Sequence, residues 1–282
     1  MKFSEEALSF TVAGERLLGI VAQPECPLDC GVLVVVGGPQ YRVGSHRQFL
    51  LLSRRLATEG YPAMRFDYRG MGDSGGVLRS FEAVTEDIGF GIDAFIGACP
   101  RVKRVVLWGL CDAASANLLY LQASRDPRIA GLVLLNPWVR SEASLAQTHI
   151  KHYYGQRLMQ REFWLKLLSG KMQIVNSIHG LLSNAMLARG KGLQSECESR
   201  SFQELMAEGL RQFHGEVLLV LSGQDYTAKE FLEYVGSDAA WSGLLDSKKV
   251  KRVDVFDADH TFSSELLRSR IENETLKWIG TL

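Results

Sequence analysis

The stretch VVLWGLCDAASANLLYL, residues 105–121, decides the fold of this chain. It begins as an apolar run typical of a buried strand and continues, after a glycine and a cysteine, in a helical pattern. A tight turn between a strand and a helix lifts its central residue clear of the sheet, and in G-x-S-x-G turns that residue is a serine. Here a cysteine and its neighbours hold the same positions: Gly109, Leu110, Cys111, Asp112 and Ala113.

The rest of the chain repeats the alternation of strand and helix. From the third strand onward, helical patterns such as residues 46–60 and 262–280 mostly separate the strands. This alternation predicts an α/β fold, with a mostly parallel eight-stranded sheet covered by helices on both faces. The first two strands, joined by the short turn AGE, predict an antiparallel hairpin at one edge. The predicted strands are 7–12, 16–22, 32–36, 63–66, 105–108, 131–135, 217–221 and 251–256.

One interval breaks this rhythm. Between Pro137 and Gly215 the sequence has helical spacing but no convincing strand. We therefore expect a core formed by residues 1–138 and 213–282, with residues 139–212 inserted as a helical cap. Large apolar side chains in the cap predict an apolar substrate pocket over the strand ends, with ordinary packing of cap on core as the alternative. They are Trp164, Leu165, Leu167, Leu168, Met172, Ile174 and Val175.

Composition excludes several classes of protein. Lysine plus arginine and aspartate plus glutamate number 32 each, so no net positive field draws nucleic acid to the chain. The beginning, MKFSEEALSF, lacks the apolar region of a signal peptide, and no apolar run approaches the roughly 20 residues of a membrane helix. The five cysteines are an odd number in a chain with an ample core, which indicates reduced thiols. We therefore expect a cytoplasmic protein without an integral membrane segment.

Neither a metal nor a cofactor is predicted. Cys26 and Cys30 form a lone C-x-x-x-C without a second pair of ligands. The glycine-rich loop RFDYRGMGDSGG, residues 65–76, fits neither G-x-x-x-x-G-K-[ST] nor G-x-G-x-x-G. Its charged side chains are expected to tie the loop together: Asp67, Arg69 and Asp73.

The position of Cys111 favours reactivity. A helix N-terminus stabilises a thiolate through its N–H groups and its dipole, and a nearby histidine adds to that effect. Two observations weigh against it, because cysteines in apolar surroundings are often plain core residues and because Asp112 opposes ionisation. Ser115, one turn later, is the alternative nucleophile, but its hydroxyl is expected to bond within the helix.

Two further residues complete a constellation. Asp225 follows the seventh strand in SGQDY, and His260 follows the eighth strand in DADHTF. Nucleophile, acid and histidine in this order are the triad of alpha/beta hydrolases, and the carboxyl ends of parallel strands meet at one edge. In this scheme His260 moves the proton and Asp225 orients its ring. Asp257 and Asp259 are the alternative acids.

An oxyanion needs two donors beside the nucleophile. The backbone N–H of Asp112 is expected to be the first. The second must come from the turn after the third strand, where Pro39 has no N–H, so Gly38 or Gln40 has to donate. Two basic residues near this turn are candidates for substrate binding, with roles on the helix surface as the simpler assignment: Arg42 and His46.

Three segments carry a resemblance to a known family: residues 34–76, LWGLCDAASANLLY and LLNPWVRSEASLAQTHIKHYYGQRL. The chain resembles the type-one alpha/beta hydrolases associated with exosortase A systems, which are encoded beside bacterial exosortase and exopolysaccharide genes. The wider superfamily implies a nucleophile at Cys111, an acid at Asp225 and a base at His260. The chain departs from it in cysteine for serine, as in dienelactone hydrolases, and in Ala113 for the second glycine.

The sequence therefore predicts a cysteine-dependent hydrolase or acyltransferase with a small-molecule acyl substrate, namely an ester, a lactone or a thioester. Peptides rank lower because a thiolate is itself expelled more easily than an unprotonated amine. The alternative from another class is an inactive binding or scaffolding protein on a hydrolase fold.

Overall fold

The structure is a computed structural model that describes residues 2–38, 40–140 and 200–282. In these residues eight strands form one sheet, in the order β1-β2-β4-β3-β5-β6-β7-β8. The number of strands and the edge hairpin of β1 and β2 were both predicted and are confirmed. The strands are β1 Phe3–Val12, β2 Glu15–Pro24, β3 Cys30–Val35, β4 Ala63–Asp67, β5 Arg104–Leu110, β6 Ile129–Leu135, β7 Glu216–Ser222 and β8 Val250–Val255.

Most of the sheet is parallel. β2 pairs antiparallel with β1 and β4, whereas every pair from β4 through β3, β5, β6 and β7 to β8 is parallel. The carboxyl ends of these six strands therefore lie along one edge, where open α/β sheets bind their ligands. This topology confirms the predicted α/β fold.

Six α-helices belong to the part of the chain that the structure describes. Five of them were predicted, at α1, α2, α3, α4 and α6. The helix α5 was not predicted, although its N-cap Asp225 accepts hydrogen bonds from the N–H groups of Thr227 and Ala228, a recognisable start signal. The helices are α1 Gln48–Thr58, α2 Thr85–Ala98, α3 Asp112–Ser124, α4 Phe202–Gln212, α5 Tyr226–Ser237 and α6 Glu265–Ile279. Short 3₁₀ turns cover Ser45–Arg47, Phe81–Ala83 and Ala239–Trp241.

An apolar layer covers each face of the sheet. In β5, Leu107 belongs to the layer formed with α2, α3 and α4, and Trp108 belongs to the layer formed with α1 and α6. Because both faces are covered, both side chains are buried, which explains why the strand reads as a continuous apolar run. This core fixes the strand ends that carry the candidate site. No helix of the described ranges is long and apolar enough to cross a membrane.

The helix α4 lies in the core rather than in a cap. Its side chains Met206, Ala207 and Leu210 are buried in the same apolar layer as α3. Residues 1–139 and 201–282 form one compact unit, and residues 140–200 form another. We therefore propose that the inserted segment ends near residue 200, where the sequence predicted residue 212. The remainder of the predicted cap, with its apolar pocket, lies outside the described residues.

The close packing of α4 on α3 gives a test of this assignment. A methyl group added at Gly209 would lie 2.2 Å from the carbonyl oxygen of Leu118 in α3. We expect Gly209→Ala to lower the free energy of unfolding by about 1–3 kcal/mol, measured by denaturant titration, because the two helices must separate. Gly236→Ala in α5 is the control, since a methyl group there meets no atom within 4 Å and gains up to about 1 kcal/mol of helix propensity. Equal stabilities of the two variants would contradict the packing.

Candidate active site

The turn that carries Cys111 is tight and strained. Cys111 is the one residue between β5 and α3, and its backbone has φ 62° and ψ −126°. Residues other than glycine rarely adopt a positive φ, so surrounding bonds must hold it there. The Cys111 N–H donates to the Leu135 carbonyl at 2.8 Å, and the Cys111 carbonyl accepts from Trp138 N–H at 3.3 Å. Neighbouring ends of β5 and β6 thus fix the turn, and the thiol remains partly exposed.

Two glycines make room for this turn. A Cβ at Gly109 would stand 2.8 Å from the backbone of Ala113, so the start of α3 requires glycine at that position. A Cβ at Gly37, in the turn after β3, would stand 3.0 Å from the Ala113 Cβ. Gly37 therefore accommodates the methyl group that Ala113 adds where related turns have glycine.

His260 and Asp225 meet at the carboxyl ends of β7 and β8. Nδ1 of His260 lies 2.7 Å from Oδ2 of Asp225, and the Cys111 side chain is close enough to the imidazole to raise its pKa. The structure thus brings the three residues of the predicted triad close together. Asp225 is 6% exposed, so its carboxylate faces the ring with little competition from solvent.

The electrostatics of the three residues are coupled. The hydrogen bond to Asp225, followed by the interaction with Cys111, raises the pKa of His260 to about 10 despite the opposing effect of burial. Burial acts to raise the pKa of Asp225, but the His260 ring and the N–H groups of Thr227 and Ala228 outweigh it and hold that pKa below its usual value. At neutral pH the ring is therefore an imidazolium beside the Asp225 carboxylate.

The alternative acids have other surroundings. Asp257 is exposed, and Asp259 accepts hydrogen bonds from Thr261 N–H at 3.1 Å and Ser263 N–H at 3.0 Å. Asp259 therefore closes its own loop and does not orient the imidazole. The alternative nucleophile, Ser115, is fully buried and donates to the Trp138 carbonyl at 2.6 Å, a bond to the β6 loop where we expected one within the helix.

The expected oxyanion donors are already engaged within the protein. The Gln40 N–H donates to the Gly38 carbonyl at 2.8 Å, which closes the turn after β3 and leaves Gly38 as the better donor of the two. The Gly38 N–H in turn donates to Oδ2 of Asp112 at 2.8 Å. The side chain that follows the nucleophile thus reaches across to the second donor.

Arg42 has a structural partner at this turn. Its guanidinium forms an ion pair with the buried Asp67 and a second one, at 2.8 Å, with Asp73, and its N–H donates to Asp67 at 2.8 Å. The arginine is 7% exposed. It therefore ties the oxyanion turn to the loop after β4. Within that loop Asp67 accepts the Asp73 N–H at 3.2 Å as expected, whereas Arg69 pairs with Asp87 of α2. His46 is exposed on the short 3₁₀ turn, with φ 52°.

Asn136, which the sequence analysis did not identify, supports the histidine loop. It is fully buried at the end of β6 and has φ 44°. Its Nδ2 donates to the His260 carbonyl at 3.1 Å and to Ser222 Oγ at 2.9 Å, while its Oδ1 accepts the Ser222 N–H at 2.9 Å. The signal that could have found it is a lone polar residue directly after an apolar strand, in LLNP.

Loss of this side chain should move His260. We expect Asn136→Gly, which tolerates the positive φ but removes the amide, to lower kcat/KM by about 10-fold or more, because small displacements of a catalytic group are costly. The rate of Cys111 alkylation as a function of pH should change with it, since that profile reports the imidazole beside the thiol. Ser53→Ala in α1 is the matched control, as its buried hydroxyl bonds only within its own helix, to Phe49. An unchanged pH profile would remove Asn136 from the site.

Comparisons with known proteins agree with this architecture, which is that of the alpha/beta hydrolases. Residues 31–204 match the family described as serine aminopeptidase, S33. The match spans more than half of the chain, and the chain belongs to this hydrolase family. Among curated proteins no sequence matches it.

Solved structures share the fold at low sequence identity. An esterase from Pyrococcus furiosus is 14% identical with a TM-score of 0.65, covering 99% of this chain and 91% of the esterase. The alpha/beta hydrolase GrgF from Penicillium sp. sh18 is 15% identical with a TM-score of 0.63, covering 97% of both chains. Mouse alpha/beta hydrolase domain-containing protein 10 is 14% identical with a TM-score of 0.60, covering 98% of this chain and 99% of the mouse protein. At these identities the likeness defines the fold alone.

Proposed function

We propose that the protein is a cysteine-dependent hydrolase or acyltransferase that cleaves an ester, lactone or thioester through Cys111, His260 and Asp225. The observation that carries the proposal is the contact of His260 Nδ1 with Asp225 Oδ2, at 2.7 Å, on a ring whose pKa the Cys111 side chain also raises. The family name refers to a serine enzyme; the likeness of GLCDA, residues 109–113, to a G-x-S-x-G turn supports Cys111 as the replacement for that serine.

The proposed reaction has two halves. In the proposed resting state the proton of Cys111 lies on His260, so a thiolate faces an imidazolium. The thiolate sulfur attacks the acyl carbon, a carbon–sulfur bond forms, and the carbonyl oxygen becomes an oxyanion. When the oxyanion collapses, the bond to the leaving alcohol or thiol breaks, and the imidazolium of His260 gives it a proton. The neutral ring then takes a proton from water, or from an acceptor hydroxyl or amine, which attacks the thioester and frees the sulfur.

Each residue of the site has one task in this scheme. His260 carries the proton, and its raised pKa, about 10, keeps the ring charged beside the thiol at neutral pH. Asp225 holds Nδ1–H, so the other ring nitrogen is the one that faces sulfur. The backbone N–H groups of Asp112 and Gly38 are the proposed oxyanion donors.

The chemistry of sulfur favours activated acyl groups. In a tetrahedral intermediate formed on an amide, the thiolate leaves more readily than an unprotonated amine, so attack is reversed. Esters, lactones and thioesters carry leaving groups that compete well. The resemblance to exosortase-associated hydrolases supports a setting beside bacterial exopolysaccharide synthesis, where a sugar hydroxyl would be a suitable acyl acceptor.

One observation favours the second candidate, a binding protein on a hydrolase fold. The Asp112 carboxylate accepts the Gly38 N–H at 2.8 Å, and an occupied donor cannot serve an oxyanion at the same time. The hydrolase proposal therefore requires this carboxylate to leave during the reaction.

The test is capture of an acyl-enzyme. The protein is mixed with p-nitrophenyl acetate and with an acetyl thioester, quenched in acid, and digested for mass spectrometry. We expect acetylation of the peptide that contains Cys111 and release of p-nitrophenol. Cys30 and Cys99 serve as internal controls, because burial raises the pKa of each to about 11 and leaves both poorly reactive. Absence of both the adduct and turnover would replace the hydrolase proposal with the binding protein.

A further inference from the structure

The side chain of Asp112 occupies the position that the oxyanion of the proposed reaction would take beside the Gly38 N–H. Its Oδ2 lies 2.8 Å from the Gly38 nitrogen, and oxyanion donors act at 2.7–3.1 Å from the oxygen they stabilise. A carboxylate oxygen thus takes the bond that the carbonyl oxygen of an acyl substrate would take. The backbone N–H of Asp112 is the other proposed donor. The same residue therefore supplies one oxyanion donor and occupies the second with its side chain.

The second oxygen of this carboxylate is poorly satisfied. Oδ1 is buried and has no hydrogen-bond partner within the described ranges. It fills the space left by the missing side chain of Gly37, where a Cβ would stand 2.1 Å from it. The N–H groups of Ala113 and of Asp112 itself also favour the ionised carboxylate. An Oδ1 without a donor in good geometry is nonetheless unfavourable, which favours exchange of the closed arrangement for a substrate.

The charge of the Asp112 carboxylate also favours its displacement when an oxyanion forms. Burial raises the pKa of Asp112, although the Gly38 N–H opposes this shift. Two titratable side chains interact electrostatically with the carboxylate, Tyr68 and His260. Of these only His260 is a cation. An oxyanion formed on Cys111 would add a second negative charge beside the same donor, and two like charges cannot share it.

We propose that Asp112 is a gate on the oxyanion pocket, whose side chain covers the Gly38 N–H in the free enzyme and swings away when the carbonyl oxygen of an acyl substrate binds. This inference rests on the proposed function, because it requires Cys111 to attack an acyl carbon. The gate acts on acyl transfer alone. Alkylation of the thiol forms no oxyanion and does not use the pocket.

The experiment compares two reactions of Cys111 in two variants. Asp112→Ala removes the side chain, and Asp112→Asn keeps an acceptor for the Gly38 N–H without the charge. For each variant, kcat/KM is measured with p-nitrophenyl acetate and the second-order rate of alkylation with iodoacetamide. We expect Asp112→Ala to raise kcat/KM by about 10-fold beyond any gain in alkylation, since one free oxyanion donor is worth about 10²–10³ in rate. Asp112→Asn should gain less than Asp112→Ala.

Other outcomes overturn the gate. If kcat/KM falls in Asp112→Ala while alkylation is unchanged, the carboxylate assists the reaction. If both rates rise by the same factor in both variants, only the charge beside sulfur matters. Thermal melts show which variants are folded. If Asp112→Ala does not fold, the comparison of Asp112→Asn with the parent protein decides the question. Failure of the proposed function is seen separately, as turnover that persists in Cys111→Ala.

Discussion

Replacement of Cys111 by alanine is expected to lower kcat for an activated ester by about 10⁴-fold or more, because loss of the nucleophile removes the action of the whole triad. The substitution takes away the atom that bonds to the acyl carbon, yet it leaves Asp225 and His260 in contact. Initial rates with p-nitrophenyl acetate give the measurement, and the acetyl adduct on the peptide should disappear with the rate.

Ser115→Ala is the matched control for this variant. Ser115 lies in α3, one turn beyond Cys111, and its hydroxyl bonds to the Trp138 carbonyl at 2.6 Å. Its removal should leave the rate within a few-fold of the parent. Cys111→Ser tests the thiol itself: we expect a folded protein with most of its activity lost, because a hydroxyl depends far more on a base to remove its proton. Parent-level turnover in Cys111→Ala would falsify the assignment of the nucleophile.

Removal of the His260 imidazole is expected to lower kcat nearly as much as removal of the Cys111 sulfur. His260→Ala should lower kcat by about 10³-fold or more, because the thiolate loses its counter-cation and the leaving group loses its proton donor. Asp225→Asn should cost less, since the ring remains but its orientation is no longer fixed. Both are measured with the same ester. Asp259→Asn is the control, because Asp259 bonds to Ser263 and not to the ring. A larger loss in Asp259→Asn than in Asp225→Asn would move the acid to Asp259.

The pH dependence follows from the sign of the histidine shift. The pKa of His260 is raised to about 10, first by Asp225 and then by Cys111, so the imidazolium form is present at neutral pH. Acylation needs this form to protonate the leaving group, so its rate should be level near neutrality and fall as the pH rises through about 10. Asp225→Asn removes the largest cause of the shift. The basic limb of that variant should therefore lie at lower pH.

The sheet could be predicted because each strand is recognisable from its own short stretch of sequence. All eight strands are short apolar or alternating runs, and the hairpin of β1 and β2 needs only the turn between them. Helical spacing also identified the residues of α4, but periodicity does not say which surface a helix covers. The contact of Gly209 with α3, which places α4 in the core, joins residues distant in sequence and follows only from the fold.

Some residues of the candidate site could likewise be predicted from the sequence, and others could not. Chain order and strand ends were enough to select Cys111, Asp225 and His260, because parallel strands bring their carboxyl ends together. The side-chain contact from Asp112 to Gly38 spans 74 positions, and the contact from Asn136 to His260 spans 124. No local pattern encodes such contacts. They depend on the register of β3, β5 and β6 in the finished sheet.

At Cys111 the stability of the turn and the presence of a thiol favour different residues, because the backbone has a positive φ. A non-glycine residue held in that conformation costs about 1–3 kcal/mol, which glycine would not incur. The residue that best stabilises the turn is therefore not the residue that can carry out the chemistry. Variants selected only for thermal resistance are therefore expected to acquire glycine here and to lose the thiol on which the proposed chemistry depends.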